Sequence, residues 1–94
     1  MKNPFDIGGK TIVVTGATGV LAGSAARHLQ EQGAFVVYLG HTPGKLDAAL
    51  AGARKVSKNC AGYLCDVLDR EALGDTYTQI MELRGSIDAL VNGA

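Results

Sequence analysis

Residues 15–29, TGATGVLAGSAARHL, follow directly on the apolar run TIVV of residues 11–14. Three glycines and four alanines crowd a segment whose spacing is otherwise helical. The small residues stand where a strand hands over to a helix. Gly16 suits the tight turn, and Gly19, without a Cβ, lets the backbone approach an anion closely. The helix beyond it offers unpaired N–H groups and a partial positive charge. Ala22, the third small position, lets that helix pack tightly on the strand layer. The pattern predicts a cradle for a pyrophosphate; a bare strand–helix turn is the plainer alternative.

The rest of the chain supplies the frame for such a cradle. Thr11–Thr15 is β-branched and apolar without alternation, as in a strand covered on both faces. Residues 19–32 follow as a helix with Leu21, Ala22, Ala25, Ala26 and Leu29 on its apolar side, and Gly33 stops it. Residues 35–39, FVVYL, read as a second buried strand. Thr42-Pro43 opens a second helix, with Leu46, Ala49, Leu50 and Ala53 on one face. Residues 63–65, YLC, read as a short third strand. Asp69 caps a third helix over residues 69–83, whose apolar side carries Leu73, Tyr77, Ile80, Met81 and Leu83. Residues 87–91, IDALV, form a fourth strand.

Strands and helices alternating in this way predict right-handed crossovers and a parallel sheet. The expected fold is α/β: a Rossmann-type three-layer α/β/α arrangement, with a partial sheet of about four strands in the order 3-2-1-4. The fourth strand is then an apolar edge, which is normally covered or paired. Self-association is expected on that ground.

Composition narrows the function. The chain has 94 residues, 47% hydrophobic and 19% charged, and its nine basic and nine acidic residues balance. That excludes the strong field expected of a nucleic-acid or membrane-surface binder. No apolar run approaches a membrane span. The opening MKNPFDIGGK has no apolar signal core and neither end has a lipidation motif, so the cytoplasm is the expected compartment. Cys60 and Cys65 fall on opposite faces if residues 61–65 are a strand. They are expected as reduced small core residues, neither a disulfide nor a zinc site. His28 lies beside Leu21 and Ala25 with no second ligand, so no metal site is expected. Gly9-Lys10-Thr11 is no P-loop: Pro4 stands at the required upstream glycine, and the triplet precedes a strand instead of following one.

TGATGVLA after the first strand, CDVLD after the third and LVNGA after the fourth resemble the short-chain dehydrogenase/reductase family. The three motifs come in the family's order, and the resemblance covers nearly the whole chain. The first departs from the commonest version, with two residues between Gly16 and Gly19 and Ala22 at the third glycine. The GVL form is similar to members acting on sugar acids, such as the mannonate oxidoreductase (fructuronate reductase) branch. The resemblance implies that Gly16, Thr18, Gly19, Val20 and Leu21 line the pyrophosphate and adjoining ribose of NAD or NADP. Asp66 and Val67 meet the adenine, with the Asp66 carboxylate accepting from its amine. Asn92, Gly93 and Ala94 approach the ribose on the nicotinamide side. Turn-forming roles for Asp66 and Asn92 are the alternatives, and they can coexist with binding.

The choice between cofactors depends on the end of the second strand. A carboxylate there accepts from both ribose hydroxyls and selects NAD, but the position is Gly40. The next residue is His41, which lacks the fixed charge and fork of an arginine, with Thr42 and Lys45 nearby. Nothing repels a 2′-phosphate, so the balance leans slightly to NADP; an exposed loop residue is the alternative for His41.

The family's chemistry implies an acid–base tyrosine with a lysine four residues on, and a serine. Thr42, Val67 and Met81 follow Tyr38, Tyr63 and Tyr77 at that distance. No catalytic residue is therefore assigned, and the 94 residues alone are not expected to be active. The chain is expected to be the N-terminal part of a dinucleotide-binding domain of a longer oxidoreductase, acting on an alcohol or carbonyl substrate. A free-standing, non-catalytic nucleotide-binding or interaction module is the alternative.

Overall fold

The computed structural model describes residues 7–93. Strands and helices alternate as β1 (Thr11–Thr15), α1 (Val20–Glu31), β2 (Phe35–Gly40), α2 (Pro43–Val56), β3 (Cys60–Leu64), α3 (Arg70–Arg84) and β4 (Ala89–Asn92). The strands form a parallel sheet in the order β3-β2-β1-β4. The expected three-layer fold is present.

Alternate residues of the central strands serve opposite faces. Ile12 and Val14 of β1, with Val36 and Tyr38 of β2, pack under α1 and α2 against Ala26, Leu46, Leu50 and Ala53. Val13, Val37 and Leu39 point the other way, onto Ile80 of α3. Both central strands are thus covered on both sides, which is why they read as unbroken apolar runs. The α1–α2 side is the better filled. On α3 only Thr76 and Ile80 are buried.

The caps follow ordinary chemistry. Asp69 accepts from the Ala72 N–H at 3.1 Å and opens α3, as expected. Gly85, in the left-handed conformation at φ 82°, closes it. Gly33, at φ 95°, turns the chain after α1. The Gly9-Lys10 segment is a turn leading into β1, with Gly9 N–H donating to Gly33 O at 3.0 Å; Pro4 lies outside the described residues.

Several expectations fail at the element ends. Leu21, counted on the apolar side of α1, sits in its first turn and is 86% exposed. Met81 and Leu83 are also largely exposed. Met81 is one residue past buried Ile80, so it points about 100° away around the helix. Next to Leu83, Arg84 donates its Nε–H to Thr11 Oγ1 at 3.0 Å, and its guanidinium lies 4.1 Å from the Phe35 ring centroid. The arginine, not the leucine, closes that end of the sheet. β3 begins at Cys60, earlier than residue 63, because its pairing with β2 runs from Val36–Cys60 to Gly40–Leu64. Gly62 leaves the space that the Leu50 side chain fills. β4 begins at Ala89, later than residue 87, because the Asp88 carboxylate occupies the Thr11 N–H at 2.8 Å. Cys60 packs toward α1 and α2, Cys65 is buried just past β3, and both are free thiols.

A buried polar knot fixes the α1–α2 side. Gln30 Nε2 donates to Ala53 O and to Ser57 Oγ, each at 3.1 Å, while its Oε1 accepts from the Tyr38 hydroxyl. One side chain therefore ties α1 to β2 and to the end of α2. Burial pushes the Tyr38 hydroxyl up to about 12; the Cys60 thiol adds to this and Arg27 opposes it. Burial likewise raises the Cys60 thiol, opposed by Arg54 and by its hydrogen bond with Gln30.

Folding thus favours neutral Tyr38 over its phenolate. Its contribution is complete below pH 10 and is lost as pH rises through 12. A shift of this size corresponds to about 2.7 kcal/mol. Urea midpoints measured from pH 9 to pH 12 are expected to fall more steeply for the native chain than for Tyr38→Phe. Parallel curves would refute the role of the hydroxyl.

Candidate functional site: a cleft at the C-terminal edge of the sheet

The strand order reverses between β1 and β4, and the crevice beyond their C-terminal ends is where open α/β sheets take ligands. The loop leaving β1 forms one wall. Gly16 has φ 63°, a backbone only glycine adopts without strain. The turn is tied down by Ala17 N–H donating to Leu39 O at 3.1 Å and Gly19 N–H donating to Gly16 O at 3.1 Å. Gly19 is the N-cap of α1. It provides no capping side chain, and no acidic residue lies in the helix's first turn. The amide groups that open α1 are therefore left to an external acceptor.

A cleft of about 680 Å³ opens above this loop. Gly16, Thr18 and Gly19 border it from the loop, Gly40 and His41 from the end of β2, Asp66 and Val67 from the turn after β3, and Asn92 from β4. Cys65 and Leu68 complete the wall beside Leu39. The cleft is built by absent side chains as much as by present ones: a Cβ at Gly40 would lie 2.7 Å from Thr18 Cγ2.

The polar groups are held by their own turns. Asp66 Oδ1 accepts from Leu68 N–H at 3.0 Å, and Asp66 O accepts from Asp69 N–H at 2.9 Å. Asp66 thus shapes the turn into α3 while exposed beside the cleft. Thr15 Oγ1 donates to Asn92 Oδ1 at 3.0 Å, fastening the ends of β1 and β4 together. Gly93 N–H donates to Thr15 O at 3.0 Å.

Four further residues named from the sequence, Val20, Leu21, Thr42 and Gly93, lie off the main cleft. Val20 is exposed and borders a second cleft between α1 and α2, whereas Leu21 lines neither. Thr42 is the N-cap of α2, directly before Pro43. Gly93 packs beneath α1, and Ala94 lies outside the described residues. Among the described residues, no group of three or more potential metal-ligating side chains converges.

The short chain dehydrogenase family model matches residues 10–94. This chain belongs to that family. Its relatives include the uncharacterized oxidoreductase UxuB of Bacillus subtilis, 35% identical over 89 residues, with 95% of this chain and 32% of the relative covered. Gluconate 5-dehydrogenase of Gluconobacter oxydans is 32% identical over 96 residues, covering 100% of this chain and 38% of that protein. Among solved structures, NAD⁺-bound xylitol dehydrogenase is similar with a TM-score of 0.85 and 32% identity, over 89% of this chain and 32% of that one. A metagenomic short-chain oxidoreductase in complex with NADP gives a TM-score of 0.87 and 29% identity, over 95% of this chain and 40% of that one. The chain spans about a third of the length of the curated relatives it matches.

Sequence reading missed two features of the site. Arg27 borders the second cleft from the third turn of α1, outside any recognised motif. Gly93 serves packing: a Cβ there would stand 2.5 Å from Ala22 Cβ and 2.7 Å from Thr15 O. Neither neighbour is the end of a flexible chain, so Gly93→Ala is expected to cost about 1–3 kcal/mol. In thermal melts, Ala22→Gly in the same chain is expected to recover part of that loss. Equal stability of Gly93→Ala and the native chain would refute the close contact.

Proposed function

We propose that the chain is the cofactor-binding N-terminal part of an NAD(P)-dependent short-chain oxidoreductase. The observation carrying this reading is the convergence of Gly16, Thr18, Gly19, Asp66, Val67 and Asn92 on one cleft at the switch point of the sheet. The fit is one of shape and charge: a glycine-built wall, an uncapped helix start and an exposed carboxylate. Gly19 and the first turn of α1 would hold the pyrophosphate. Asp66 and Val67 would meet the adenine, and Asn92 with Gly93 would lie toward the nicotinamide ribose. Bound nicotinamide would supply hydride exchange with an alcohol or carbonyl in the whole protein.

Tyr38 is fully buried and donates to Gln30, while Tyr63 and Tyr77 pack with the α3-side core. These tyrosines serve the fold, so the chain by itself binds cofactor without turning it over. A sugar acid is the proposed substrate of the whole protein; the GVL loop and the likeness to a gluconate dehydrogenase support it. The cytoplasm is the proposed compartment.

NADP is the proposed cofactor. Gly40 leaves no carboxylate at the end of β2 to accept from the ribose hydroxyls or repel a 2′-phosphate. In calorimetric titrations both dinucleotides are expected to bind, NADP⁺ more tightly. Gly40→Asp in a Thr18→Ser background, which removes the methyl group in the way, is expected to favour NAD⁺ by about tenfold relative to the native chain. Failure of both dinucleotides to bind would overturn the reading.

The apolar side chains of Leu83 on α3 and Leu90 on β4 are more than half exposed. We infer that the chain self-associates through the β4–α3 side. Light scattering is expected to give a mass above that of a 9.7 kDa monomer, rising with concentration. A monomer at all concentrations would refute this.

A further inference from the structure

β4 ends the sheet: β1 lies along one of its edges and, among the described residues, no strand lies along the other. The hydrogen bonds of β1 fix which groups of β4 face outward. Lys10 O accepts from the Phe35 N–H of β2, so Thr11, Val13 and Thr15 turn their backbone groups toward β4. Thr11 O accordingly accepts from Asp88 N–H at 2.8 Å, and Thr15 O from Gly93 N–H at 3.0 Å. Counting back by twos from Gly93, Val91 and Ala89 face β1. Leu90 between them presents its N–H and C=O to the open edge.

The side chains do not close that edge. Edge strands are usually guarded by a charge, a proline or a bulge. ALVN carries neither charge nor proline, and its register with β1 runs one-to-one from Ile12–Ala89 to Thr15–Asn92. The charged residue just before it, Asp88, is held on the Thr11 N–H at 2.8 Å. Ala89, Leu90 and Asn92 are exposed, whereas residues 60–63 of β3, at the opposite edge, are half-buried. Leu90 lies on the α3 face, where it borders a hollow of about 240 Å³ with Leu73 and Tyr77. Val91 packs on the other face, toward α1 and α2.

We propose that β4 is a docking edge for a second copy of this chain, the two strands pairing antiparallel about a two-fold axis at Leu90. The sheet then runs on from four strands to eight. This rests on the self-association inferred above and gives it a geometry. Each Leu90 N–H donates to the Leu90 C=O of the other copy. The two Leu90 side chains meet on the α3 face and join the two hollows into one apolar seam. Ala89 stands opposite Val91, small against β-branched, and Asp88 opposite Asn92, so no like charges are opposed. A contact closed by one two-fold axis stops at the dimer.

The test is Leu90→Cys in the intact chain, oxidised mildly and run on non-reducing gels. The native chain is the control for Cys60 and Cys65, which are free thiols. Opposed Cα atoms of a hydrogen-bonded antiparallel pair lie about 5.5 Å apart, within disulfide reach. The variant is expected to give a covalent dimer and the native chain none. Leu90→Pro removes the outward N–H without removing a bond to β1, whereas Leu90→Ala keeps it. In light scattering Leu90→Pro is expected to be monomeric where the native chain is dimeric, and Leu90→Ala to dimerise more weakly. If Leu90→Pro unfolds, hydrogen exchange of the native chain decides instead. The Leu90 amide is expected to exchange at least about tenfold more slowly in concentrated than in dilute solution.

A native chain that associates, while Leu90→Cys gives no cross-link and Leu90 exchange ignores concentration, overturns the edge pairing and leaves self-association through another surface. Oligomers growing beyond the dimer overturn the two-fold arrangement. A monomer at every concentration overturns both readings.

Discussion

The fold depends on β1 being paired along both edges and covered on both faces at once. Its hydrogen bonds go to β2 on one side and β4 on the other. Its side chains alternate between the α1–α2 layer and the α3 layer. A strand so enclosed has no spare surface, so its C-terminal end is where the chain must turn out into solvent. The glycine loop, the reversal of strand order and the cleft all occur there because β1 can continue nowhere else.

Much of this was legible because two different periodicities alternate cleanly. TIVVT and FVVYL can be buried strands only if helices cover both faces, and the cap at Asp69 announces its helix chemically. Legibility failed where one residue's fate depends on a distant partner. Leu83 looks like core until Arg84 is seen lying over Phe35. The start of β4 depends on Asp88 capturing an amide of Thr11, 77 positions away in sequence. Gln30, polar and in the last turn of α1, gives no local sign that it closes a network between two helices and a strand.

The candidate site divides along the same line. The turns at Gly16 and Asp66 were readable because both are local backbone features. Arg27 was not, because its place in the second cleft depends on α2 bringing Lys45 to the same hollow. Helical spacing alone makes Arg27 an ordinary polar residue beside Ala26. Only the packing of two helices turns it into one wall of a cleft.

The uncapped start of α1 has a consequence for the chain as a thermodynamic object. α3 carries its own cap in Asp69, whereas α1 has none. An anion seated against its first turn therefore completes the helix as well as occupying a site. Ligand and fold then share one free energy: at a hundredfold excess over its dissociation constant, a ligand adds about 2.7 kcal/mol to the folded state. For a domain of this size that is a substantial part of the whole. Were that anion a phosphate of the proposed cofactor, the folded population would itself gauge cofactor supply.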